Sequence, residues 1–246
     1  MKKRNLHKRL LPLVFALLLL IGASAVYVSD YYRTDTAAAA AFAPDKAVPE
    51  TVLYEGAVAY GAPDAKIGFL FYPGGKVEYT AYAPLLRQLA AQDILCVLLK
   101  MPCNLAVLDG DAADGIREYF PAVERWYIGG HSLGGSMAAY YAADHAQELE
   151  GLILLGSYSS RDLSQSSLRV LSVFGSEDRV LNREKYEECQ ANLPAGWSEI
   201  KIDGGCHAYF GMYGTQKGDG TPALSAEEQI RLSAAYISEF LFTEVH

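Results

Sequence analysis

Histidine is scarce in this chain, five in 246 residues, and cysteine is scarcer still at four. Cys96, Cys103, Cys189 and Cys206 form no CxxC pair, and their spacing fits no zinc site. The sequence therefore gives no reason to expect a metal, and it holds no sign of any other cofactor. In an exported chain four cysteines allow three disulfide pairings, with free or buried thiols as the equal alternative. Basic residues are also in deficit: 21 Lys and Arg face 29 Asp and Glu, for a net charge of −8. A nucleic-acid binder would present a basic face, so that class is excluded. Charged residues make up only 20% against 51% hydrophobic, which excludes a disordered chain. No internal repeat is present.

What is there begins with a long apolar run. Lys2, Lys3, Arg4, Lys8 and Arg9 precede an uncharged stretch from Leu10 to Val28. That length suits a membrane-spanning helix, which needs about 17–25 residues, better than a secretory core of about 7–15. Ala23-Ser24-Ala25 resembles a signal-peptidase site, and Pro12 shortens the part that can be a regular helix. Two readings follow: a retained single-pass anchor, or a signal cleaved near Ala25. The basic flank leaves the N-terminus in the cytoplasm and the body outside it in either case. With no cysteine after the run, a lipoprotein is not expected. Residues 1–28 are thus read as flank and anchor. Residues 29–50, with the alanine run Ala37–Ala41 and Pro44 and Pro49, are read as a tether, and residues 51–246 as the globular domain.

In the globular part, apolar strands alternate with helical patterns. An edge strand is expected over 52–60, and buried strands over 67–72 (IGFLFY) and 94–99 (ILCVLL). Further strands are expected over 125–128, 152–155, 168–174 and 197–202. Helices are expected over 79–91, 105–120, 132–145, 182–191 and 225–242. This alternation predicts an α/β domain, a mostly parallel central sheet with helices on both faces. In such sheets a ligand sits beyond the carboxyl ends of the strands.

Gly130-His131-Ser132-Leu133-Gly134 fits G-x-S-x-G between a predicted strand and a predicted helix. A nucleophilic serine needs that context: a tight turn, glycines that permit close approach, and a helix N-terminus facing developing negative charge. A serine hydroxyl also needs a base. His7 precedes the anchor, His131 lies in the turn itself, His145 ends the following helix and His246 is the last residue. His207, in a loop after the last predicted strand, remains. The acid that orients it is Asp178, in the order Ser, Asp, His, with Glu177 and Asp203 as rivals. The oxyanion site calls for two backbone amides. One is that of Leu133. The other comes from Pro73-Gly74-Gly75-Lys76, as Gly75 or Lys76.

These residues lie in the segments FYPGGKVEY, KMPCNLAVLDGDAADGI, GGHSLGGSMAAYYAADH, VFGSEDRV and GGCHAYFGMYGTQKGDG, which span most of residues 52–242. The chain resembles the α/β-hydrolase fold family. More narrowly, it is similar to small membrane-anchored bacterial members of the fold-5, dienelactone-hydrolase-related group. The resemblance implies the triad Ser132, Asp178 and His207. Dienelactone hydrolases proper carry a cysteine at the elbow, where this chain has Ser132, and PGG stands where an HG pair is usual. Cys206 is expected to pack rather than react. The stretch Tyr213–Gly220 is distinctive, and no mechanism follows from its residues.

Only twelve residues, Gly156–Ser167, join the strand after the elbow helix to the next, too few for a cap domain. An open site is expected, with Tyr158, Cys103, Asn104 and Tyr209 on its rim, acting on a small-molecule ester. The alternatives are an extracytoplasmic acyltransferase or peptidase with the same triad, and a non-catalytic membrane-tethered binding protein on the same fold.

Overall fold

The computed structural model describes residues 6–44, 46–54 and 56–243. The chain divides into two compact units, Met1–Tyr31 and Tyr32–His246. The first contains helix α1, Leu6–Ser29, whose stretch Leu10–Ser29 is long and apolar enough to cross a membrane. At 1.5 Å per residue those 20 residues span roughly 30 Å, the thickness of a bilayer's hydrocarbon core. The helix runs through Pro12 instead of being shortened by it.

The second unit starts earlier than the expected tether allows. Tyr32 forms a parallel bridge with Val77, its amide donating to the Lys76 carbonyl at 2.8 Å. Helix α2, Thr36–Ala41, follows, capped by the Asp35 carboxylate, which accepts from the Ala38 amide. Ala39 and Phe42 are buried in the main core, and the Arg231 guanidinium lies 4.7 Å over the Phe42 ring. Within the alanine run Ala39 is buried and Ala38 half-buried, while Ala37, Ala40 and Ala41 face solvent and Phe42 fills the core. Residues 32–42 are therefore part of the fold and not a free linker.

Strands β1 (Glu50–Tyr54) and β2 (Ala57–Tyr60) form an antiparallel hairpin where a single edge strand was expected. The turn at Gly56 splits the apolar run. Then come β3 (Ile67–Tyr72), helix α3 (Ala83–Ala90), β4 (Ile94–Leu99) and β5 (Arg125–His131). Helix α4 (Leu133–Asp144), β6 (Gly151–Leu155) and β7 (Arg169–Gly175) follow. Helix α5 (Arg183–Cys189), β8 (Ser198–Ile202) and helix α6 (Ala226–Phe242) complete the unit. The expected helix over 105–120 is instead a set of 3-10 turns, Pro102–Asn104, Ala106–Leu108 and Ile116–Tyr119. Gly115, at φ +72°, and the extended Leu105 interrupt it, while Ala106, Ala113 and Ile116 bury without helical periodicity.

The sheet has eight strands in the order β1-β2-β4-β3-β5-β6-β7-β8, parallel from β4 to β8. Strands β3 and β4 are buried throughout, as continuous apolar runs should be when both faces are covered. The pleat divides their side chains. Phe69 and Phe71 face Leu85, Leu86 and Ile237 from α3 and α6, while Leu70 and Tyr72 face Ala138 and Tyr141 of α4.

Candidate active site

Ser132 sits between β5 and α4 at φ 53°, ψ −123°, a conformation that costs an ordinary residue of order 1–3 kcal/mol. The flanking glycines are required sterically. A methyl on Gly134 would lie 2.2 Å from the Pro73 carbonyl oxygen, and one on Gly130 2.4 Å from that of Tyr72. The elbow can therefore press against the end of β3 only with glycine at both positions. Gly130 and His131 extend the expected strand over 125–128 into the sheet beside β6.

Asp178 follows β7 and His207 follows β8. His207 Nδ1 and Asp178 Oδ2 are 2.8 Å apart, and both side chains are buried. The second carboxylate oxygen, Oδ1, accepts from the Val180 amide at 2.9 Å and the Leu181 amide at 2.8 Å. Three donors thus fix the carboxylate and place the imidazole proton on Nδ1. His207 Nε2 is buried and has no hydrogen-bond partner; Ser132 Oγ is not bonded to it in this structure. The two loops nonetheless meet, because the ring of His131, the residue before Ser132, lies 4.5 Å from the His207 ring. Gly156 closes the third side: a methyl there would lie 3.0 Å from His207 Nδ1 and 3.1 Å from Asp178 Oδ2.

The rivals lie elsewhere. Asp203 faces solvent and pairs with Lys201 at 3.6 Å. Glu177 accepts from its neighbour Ser176. His145 stacks on Tyr141 with ring centroids 4.0 Å apart. The His7 side chain and His246 lie outside the described residues.

The PGG turn distinguishes Gly75 from Lys76 by their backbone partners. The Lys76 amide donates to the Asn104 carbonyl at 2.7 Å, and the Gly74 amide donates to the Tyr82 hydroxyl at 3.1 Å. The Lys76 amide is thereby engaged, which counts against it as the alternative oxyanion donor expected from the sequence. Gly75 lies between them against the elbow, where a methyl would sit 2.8 Å from Leu133 Cδ2. The Leu133 amide opens α4, where amides have no partner within the helix.

Of the four expected rim residues, Cys103 is exposed and Tyr158 and Tyr209 are half-buried. Asn104 acts through its backbone, holding Lys76, and both residues have positive φ. Exposed Val107 and Leu108 follow in the same connection. Cys206 is buried and its pKa is pushed up to about 12, chiefly by desolvation, so its sulfur stays a protonated thiol.

Tyr82 was not identified from sequence. Its hydroxyl accepts from Gly74 and lies 2.8 Å from His131 Nδ1, so it joins the PGG turn to the elbow. A tyrosine in an apolar helix start gives no local signal of that role. Burial, and then the adjacent His207 imidazole, hold the His131 pKa well below the usual range, so the ring stays neutral.

A family model for the alpha/beta hydrolase family matches residues 68–231. The chain belongs to the α/β-hydrolase family. Its fold also matches the crystal structure of a protein described as a predicted CIB-like hydrolase from Thermoplasma acidophilum. That match has a TM-score of 0.56 at 16% identity, covering 78% of this chain and 99% of the other. A search of curated proteins finds no significant sequence match. In this α/β-hydrolase a cavity of about 780 Å³ lies at the opposite end of the sheet from Ser132. Arg169, Trp197, Ser198, Tyr236 and Phe240 are among the residues that line it. Arg169 and Ser198 begin β7 and β8, whereas Asp178 and His207 follow the far ends of those strands, so this cavity is separate from the candidate site.

Proposed function

We propose that this α/β-hydrolase is a serine esterase held at the membrane by its N-terminal helix, with its body outside the cytoplasm. The observation that carries the reading is the buried His207–Asp178 pair. One nitrogen of the imidazole is held at 2.8 Å and the other is left unpartnered beside a strained serine turn. A base with a fixed tautomer and a free Nε2 is what activating a hydroxyl requires.

Ser132 Oγ attacks the ester carbonyl carbon while its proton passes to His207 Nε2. The carbonyl oxygen takes up negative charge against the amides of Leu133 and Gly75. Collapse of this intermediate breaks the ester C–O bond, and the alcohol leaves with the proton from His207. Water, giving its proton to Nε2, then attacks the acyl-enzyme. The acid departs and Ser132 recovers its proton. Asp178 stays ionised and steadies the imidazolium. The connection Gly156–Ser167 is too short to hold a cap domain. Small or accessible acyl esters suit such a site.

Labelling with a fluorophosphonate probe tests the assignment. The wild-type protein is expected to react and Ser132→Ala to remain unlabelled with its fold intact. Labelling that survives the substitution rules out Ser132. A folded wild-type protein that neither labels nor hydrolyses esters favours the non-catalytic alternative.

A further inference from the structure

The stretch Tyr213–Gly220 has no part in the mechanism above, yet it lies across both catalytic loops. Asp219 Oδ2 accepts from the amide of Ala208, the residue after His207, at 2.8 Å. Its Oδ1 accepts from the amide of Arg179, the residue after Asp178, at 3.3 Å, and from Gly220 at 2.8 Å. One carboxylate therefore grips the loop carrying the base with one oxygen and the loop carrying the acid with the other. The next residue presses on the same place: a methyl on Gly220 would stand 2.0 Å from the Glu177 carbonyl oxygen. The strap is itself anchored. The Asp219 amide donates to the Gln216 carbonyl at 3.1 Å, and the Lys217 amide donates to the Tyr32 hydroxyl at 3.0 Å. Tyr213 is buried, with its ring 5.6 Å from that of Tyr32 and 6.3 Å from that of Tyr82.

We propose that Asp219 is a positioning residue for the triad, clamping the His207 and Asp178 loops at a fixed separation through the backbone amides that follow each residue. The proposal rests on the serine-hydrolase reading. Its physical basis is that β7 and β8 end in separate loops, and Asp219 adds to the bonds that already join them (Asp178 to His207, the Glu177 amide to the Gly205 carbonyl, the Gly204 amide to Ser176 Oγ) by accepting from the residues just after the acid and the base. An ionised carboxylate suits the task because it accepts on both oxygens. Asparagine presents one oxygen and one NH2 group, so it can hold one loop but turns a donor toward an amide of the other. A displacement on the order of 1 Å at a catalytic base costs about a hundredfold in rate.

Asp219→Asn is expected to lower kcat by tenfold or more with KM within twofold, and to slow fluorophosphonate labelling in proportion. The far-downfield proton NMR signal of His207 Nδ1–H is expected to broaden or vanish while the circular dichroism spectrum is kept. Phe120→Ala removes a buried ring that packs on Trp126 at the start of β5, the end of that strand away from Ser132. It is expected to reduce stability by a similar amount with unchanged kcat, which separates positioning from general destabilisation. Gly220→Ala, which pushes the strap off the Asp178 loop, is expected to act in the same direction, and it decides alone if the asparagine variant does not fold. Turnover within twofold of wild type in the folded variants, with the downfield proton retained, overturns the clamp. A wild-type protein that fails to label overturns the serine-hydrolase reading instead, and the NMR signal still tests the clamp.

Discussion

His131 occupies a position that serine hydrolysis itself leaves open, the variable site of G-x-S-x-G, and the tertiary structure gives it a task. Its Nδ1 meets Tyr82 and its ring packs on His207 in a fully buried setting. In the proposed mechanism, a neutral ring there puts no second positive charge beside the imidazolium formed at His207. The same burial makes stability depend on pH. With the folded pKa depressed below the unfolded value of about 6.5, the unfolded chain binds the extra proton. The contribution is complete above about pH 6.5 and declines as pH falls. Thermal unfolding from pH 7.5 to 5 is expected to show a loss that is smaller in His131→Gln. An identical pH slope in the two proteins contradicts the assignment. The pairing of His207 with Asp178 is legible in the sequence, as is the elbow turn at Ser132, because residue type and motif order narrow the choice. Tyr82 and Asp219 are not, because each acts by accepting backbone hydrogen bonds, which many polar residues can do.

At the scale of elements, the differences between expectation and structure share one cause. Residues 105–120 have helical composition, but their buried positions, Ala106, Ala113 and Ile116, follow the contour of the core and not a helical face. Residues 29–50 have linker composition, yet Tyr32 and Phe42 find partners far along the chain, at Val77 and Arg231. Local propensity cannot report either outcome, since the stabilising contacts are nonlocal. The expectation at Phe42 is quantitative. Removing a buried ring leaves a cavity worth about 3 kcal/mol or more, so Phe42→Ala lowers the melting temperature of the body by several degrees. A true tether would tolerate the change, and an unaltered melting temperature would restore that reading.

For the whole molecule, the apolar helix and the parallel sheet answer to different solvents. Leu10–Ser29 exposes its leucines along its length, which is costly in water and favourable in lipid. The full chain is expected to sediment with membranes and to resist an alkaline carbonate wash. Release of a body that starts near Val26 would point instead to cleavage of a signal. The sequence by itself determined the alternation of strand and helix, the spanning length of the first helix, and the order of the candidate residues Ser132, Asp178 and His207 along the chain. These depend on periodicity, on run length and on which side chains can do the chemistry. Only the tertiary structure decided that the Lys76 amide is engaged by Asn104, that α2 belongs to the core, and that Asp219 joins the loops carrying His207 and Asp178. Each of those outcomes depends on which backbone amide meets which acceptor across the fold, and that pairing exists only once the sheet has brought distant loops to one edge.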